Sequence, residues 1–183
     1  MKARLSKLEK QSAPSLTPQV VSPPFFSLDM PGTPVPKGRP RMTKSGRVYT
    51  PSATRAYEDA IRLQTLVLMS PRHPTKEPCI VHAGFFFAFP KGWNRQKREG
   101  EQHSVRPDLD NVLKSALDGI CGERGAVRDD KQIIEIHAFK SYADESSFEL
   151  DVWEITADIE RKITADIERL SHRWRAWKSG LPL

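Results

Sequence analysis

A chain of 183 residues with 29 Lys and Arg against 23 Asp and Glu carries a formal charge of +6, a balance that suits a polyanionic partner without separating DNA from RNA or an anionic membrane. The length is that of one domain with extensions and is enough to bury a core without disulfides. Cys79 and Cys121 stand far apart without a His at metal-binding spacing, residues 80–89 are too short an apolar run for a bilayer span, and residues 1–10 lack the apolar core of a signal peptide; neither a disulfide scaffold, a zinc site nor a membrane span is indicated, and a cytoplasmic protein with no membrane partner is expected.

Residues 1–22 are rich in Lys, Ser, Pro and Gln with few aromatics, so they bury too little apolar area to offset their ordering entropy and read as a flexible leader. The domain proper is expected over residues 23–155. Phe25, Phe26, Leu28 and Met30 suggest a first strand closed by Pro31-Gly32, and a loop rich in Pro, Lys and Arg follows over residues 33–49. A helix is predicted from Thr50-Pro51, with Thr50 as its cap, to a stop before Pro71; Tyr57, Ala60, Ile61, Leu63, Val67 and Leu68 give it an apolar face.

Val81, Ala83, Phe85, Phe87 and Phe89 alternate on one parity, the pattern of a strand with one buried face. A basic loop over residues 91–104 leads to a second helix over residues 109–120, which breaks at Gly122 and Gly125. Strands are predicted over residues 132–142 and 148–155. The order β-α-β-α-β-β implies an α+β domain, a mixed sheet backed by helices. An additional C-terminal helix is expected over residues 156–178, where ITADIER occurs twice, at residues 155–161 and 163–169. There Ile159, Ile163, Ile167, Leu170, Trp174 and Trp177 form one stripe, suited to packing on the domain's own sheet or to an oligomer interface.

Chemistry concentrates between the second strand and the third. Asp108 and Asp110 sit where a loop enters a helix, and Asp129-Asp130 precede the next strand. Asp is favoured at helix N-caps, so capping explains either of the first two alone. It explains less well two aspartates together with Lys114, one turn beyond Asp110, and a second acidic pair. Magnesium takes hard oxygen ligands, which Asp108, Asp110 and one of Asp129 or Asp130 supply; adjacent residues on an extended segment face opposite ways, so only one of the last two enters such a site. Asp118 continues the helix face as a surface or supporting residue. Taken alone, Asp129-Asp130 also fit a solvated turn, and Asp110 with Lys114 an ordinary surface pair.

Basic residues fall in two groups, Lys37, Arg39, Arg41, Lys44 and Arg47, then Lys91, Arg95, Lys97, Arg98 and Arg106. Such runs are often merely solvated, yet these flank one acidic centre and suit phosphate contacts. Trp93 suits either base stacking or loop anchoring. The histidines at 73, 82, 103, 137 and 172 show no ligand spacing, and no Walker loop, dinucleotide fingerprint or nucleophile elbow is present, so no nucleotide cofactor is expected.

The strings RPDLDNVLKSALDG (residues 106–119), DDKQI (residues 129–133) and PVPKGRPR (residues 34–41) together resemble the RusA family of Holliday junction resolvases over residues 25–155. The resemblance implies a dimeric, Mg²⁺-dependent crossover junction endodeoxyribonuclease that makes paired nicks in four-way DNA during recombination and repair. It matches Asp108, Asp110 and Asp130 to the family's metal-binding aspartates and Lys114 to its catalytic lysine. The interval from Asp110 to Asp130 is longer than the family's by about one residue, which keeps Asp129 as the alternative. A nuclease for other branched DNA and a non-catalytic DNA-binding module are the competing readings.

Overall fold

Buried Phe26 and Leu28 alternate with exposed Ser27 and Asp29, so β1 (Phe26–Pro31) lays one face on the core. In the computed structural model, which describes residues 23–93 and 102–155, this strand is one edge of a four-stranded sheet. The expectations for residues 1–22 and 156–178, and for Arg95, Lys97 and Arg98, lie outside the described residues. After β1 the chain forms a short hairpin, β2 (Arg41–Met42) and β3 (Val48–Tyr49), and then α1 (Ser52–Met69). Next come β4 (Cys79–Ala88), α2 (Leu109–Ile120), one 3-10 turn over Asp130–Gln132, β5 (Ile133–Ala143) and β6 (Ser147–Glu154).

The sheet order is β1-β6-β4-β5. Strands β4 and β5 are parallel, with α2 in the connection between them, as a parallel pair requires a long crossover. The β4–β6 and β6–β1 pairs are antiparallel. The domain is therefore the mixed α+β architecture expected from the element order. Helices α1 and α2 pack on each other, α1 also on β1 and α2 on β5. Ile61, Met69, Val112, Ala116 and Ile120 from the helices meet Val81, Phe85, Phe148, Leu150 and Val152 from the sheet, and Phe85 stacks on Phe148 at 5.2 Å.

Four expectations are corrected. The buried stripe of α1 is Thr54, Glu58, Ile61, Thr65 and Met69, while Leu63 and Val67 are each 62% exposed; the helix is turned by polar partners that hydropathy reads as outward. Pro51, not Thr50, occupies the cap position of α1, without a side-chain cap. Strand β4 is buried on both faces over much of its length, because it is central: His82 is covered by His137 and Trp153, and Phe139 lies over Gly84. The loop after β1 contains the hairpin, whose two-residue strands are too short to show a period. Among the described residues, no helix is long and apolar enough to cross a membrane.

Candidate active site

Helix α2 begins at Asp108, whose backbone is extended (φ −71°, ψ 142°) and whose side chain caps nothing. The capping explanation therefore fails for this residue: its carboxylate is exposed and has no partner among the described residues. Asp110 lies in the first turn of α2 and is also exposed, where the positive end of the helix dipole favours its charge. Two ties fix this entry. The Lys140 ammonium on β5 donates to the carbonyls of Val105 (2.6 Å) and Pro107 (2.7 Å), and the Lys37 N–H donates to Asn111 O at 2.8 Å. Lys140 was invisible to sequence reasoning, since its contacts lie 33 and 35 residues away.

Lys114 is exposed one turn beyond Asp110 and forms no ion pair among the described residues. Its other neighbour on the same face, Asp118, is held elsewhere. Lys37, expected to contact DNA, places its ammonium 2.5 Å from Glu58 Oε1 and 2.6 Å from Asp118 Oδ2. Burial pulls the Lys37 pKa down, and hydrogen bonds to Asp118 and Glu58 more than reverse this, leaving it above the ordinary lysine value. Lys37 is thus a structural tie that joins α1 to α2, its ammonium already engaged by two carboxylates.

The second acidic pair divides by environment. Asp129 caps the 3-10 turn in a reciprocal capping box: its carboxylate accepts from Lys131 N at 3.2 Å, and its own N–H donates to Gln132 Oε1 at 2.9 Å. The hydrogen bond from Lys131 N, the Lys131 ammonium behind it, holds Asp129 below the usual carboxylate range. Asp130 follows within the turn, exposed. This turn lies at the far end of α2 from Asp110. The N–H groups of Ala126 and Val127 bond Ile120 O, and Asp130 is the foremost charge acting on Cys121, whose thiol is pushed up to about 12, first by burial. With 12 residues in α2 and about 1.5 Å rise per residue, Asp110 and Cys121 stand roughly 16 Å apart. Accordingly, among the described residues no three His, Cys, Asp or Glu side chains converge to hold a metal ion.

Several cations of the two basic groups stand free of partners among the described residues. Arg39, Arg41, Lys44, Arg47, Lys91 and Arg106 are all exposed, and none forms an ion pair among the described residues. The segment before Arg39 is nailed down: Gly38 N–H donates to Thr54 Oγ1 at 3.1 Å, and a Cβ on Gly38 would lie 2.8 Å from Pro51 Cγ. Trp93 and His103, which bracket the second basic loop, both pack on Tyr142, at ring distances of 5.2 and 4.6 Å. The anchoring role of Trp93 is thereby supplied. Lys140 joins this cluster to the approach of Asp108.

A small α+β domain with an exposed aspartate pair at a helix start, and with a lysine one turn on and several exposed cations that are unpaired among the described residues, has the features of a phosphodiester-cleaving protein. The sequence model of the endodeoxyribonuclease RusA family matches residues 31–152, two thirds of the chain, and the protein belongs to that family. No curated protein matches the chain.

Proposed function

We propose that the protein is a Mg²⁺-dependent endonuclease that resolves four-way DNA junctions by paired nicks, and that it acts as a dimer whose sites are shared between chains. The observation that carries the reading is the exposed Asp108–Asp110 pair, with no capping hydrogen bond from Asp108 and with Lys114 beside it unpaired among the described residues. These are hard oxygen donors of the kind Mg²⁺ takes, at bond lengths of about 2.1 Å. The ion, when bound, would supply the charge that activates the attacking water and offsets charge building on the phosphate. Lys114 is placed to donate to the same phosphate, and the cations at 39, 41, 44, 47, 91 and 106 to hold the flanking backbone.

Asp130 supports the dimer. Its carboxylate is the member of the second pair left outside the capping box, yet it lies too far from Asp110 in its own chain to share an ion. A two-fold related copy would bring its Asp130 to the Asp108–Asp110 pair and place two sites on one junction. The exposed stripe Leu63, Leu66 and Val67 on α1 has the apolar character that such an interface buries. Asp108, Asp110 and the partner copy's residue at position 130 would then hold the ion.

The test compares the wild type with Asp110→Asn on a synthetic four-way junction, with and without Mg²⁺. Paired nicks bearing 5′ phosphates are expected only from the wild type with Mg²⁺. Binding without nicking by the wild type would leave a DNA-binding module instead.

A further inference from the structure

The hairpin β2–β3 presents an apolar face that the catalytic reading does not use. Its turn is closed by Thr43 N–H to Arg47 O (2.9 Å), Gly46 N–H to Thr43 O (3.0 Å) and Arg47 N–H to Thr43 Oγ1 (3.1 Å). Gly46 takes φ +82°, a conformation that a side chain would strain. Met42 and Val48 are directly opposite each other, so their side chains share one face of the ribbon. They are 70% and 63% exposed. Arg41 and Tyr49 form the pair on the other face, and Tyr49 is also exposed.

Around this apolar pair the charge has one sign. No acidic residue occurs between Asp29 and Glu58, and Arg39, Arg41, Lys44 and Arg47 surround the ribbon, each exposed. A protein partner would have to be acidic around an apolar centre. DNA is anionic at its rim and apolar only where base pairs are open to contact, which in a four-way junction is the branch point. Proteins that open a base step do so with apolar side chains flanked by cations.

Resting on the resolvase reading, we propose that Met42 and Val48 form a wedge that enters the junction's branch point and unstacks the base pairs there, while Lys44 and Arg47 hold the adjacent phosphates. The ribbon recognises the shape of the substrate; it takes no part in phosphate cleavage.

The test uses full-length protein carrying Asp110→Asn, so that cleavage does not obscure binding, and a four-way junction with 2-aminopurine at the branch point. A linear duplex carrying the same probe is the control. Binding is expected to raise fluorescence of the junction and not of the duplex. Adding Met42→Ser and Val48→Ser should abolish that rise and cut the preference for junction over duplex by about tenfold, with duplex affinity within about twofold. Met42→Leu should keep the rise. Either an undiminished rise in the serine variant or no rise without it overturns the wedge. A change of oligomeric state in the serine variant, read by light scattering, also overturns it, because the pair would then be a contact between copies. A protein that binds junction and duplex equally from the outset removes the resolvase reading itself, and the wedge with it.

Discussion

Replacing Lys37 by Met removes the cation shared by Glu58 and Asp118 while keeping most of the side chain's volume. The two carboxylates are then left facing each other without a counter-charge. Removing one partner from a fully buried ion pair costs about 3–5 kcal/mol. Here the Lys37, Glu58 and Asp118 side chains are 24%, 11% and 34% exposed, so solvent screens part of the loss and about 2 kcal/mol is expected. For a chain of this size that lowers Tm by about 4–8 °C. The pH dependence has a definite sign. Lys37 has a raised pKa when folded, so its contribution is complete at neutral pH and is lost only as the pH climbs through the lysine range. The gap in Tm between wild type and variant should therefore narrow in alkali. Calorimetry measures the stability, and junction binding across a salt series measures the other half of the claim. The slope of log K against log salt should be unchanged in the Met variant. An unaltered Tm with a shallower salt slope would refute the reasoning and return Lys37 to the DNA interface.

Arg41→Ala should do the reverse of Lys37→Met, leaving Tm within about 1 °C and flattening the salt slope by about 0.9. Lys140→Met should lower turnover more than junction affinity, because it frees the Val105 and Pro107 carbonyls that hold the approach to Asp108; single-turnover kinetics separates the two, and equal losses in both would contradict a positioning role. Gly119→Ala would bring a Cβ to 2.5 Å from Ile61 Cγ2 where α1 crosses α2, and overpacking of this kind costs about 1–3 kcal/mol by denaturant titration. Cys121, pushed up to about 12 by burial and then by the Asp130 charge, should alkylate slowly near neutrality. Asp130→Asn should speed that reaction and Asp110→Asn should not, an order that checks which end of α2 each aspartate occupies.

Helix α2 was legible because local and global signals agree in it. Val112, Ala116 and Ile120 recur at helical spacing, all three are buried, and the bounds fall at the residues expected. The strand order in the chain was legible for the same reason. Helix α1 was not read correctly, because its inward face includes Glu58, which a lysine 21 positions earlier neutralises. Hydropathy has no means of pairing such residues. The second face of β4 was hidden because its cover comes from His137, Phe139 and Trp153 on neighbouring strands. At the candidate site, the motif located Asp108, Asp110 and Lys114 on one helix start. It could not show that Asp129 spends its carboxylate on a capping box, nor that α2 carries Asp130 away from Asp110, since spacing along a chain does not fix distance across it.

The shared site is tested most directly by mixing two inactive chains. Asp110→Asn and Asp130→Asn proteins, each expected to be dead alone, are unfolded together, refolded and assayed on a labelled four-way junction with Mg²⁺. If each site takes Asp110 from one chain and Asp130 from the other, a mixed dimer has one site with both substitutions and one with neither. Random pairing should then restore about a quarter of the wild-type sites, seen as single nicks. A mixture as inactive as its components, with wild type active after the same refolding, would contradict the account and place each site within one chain.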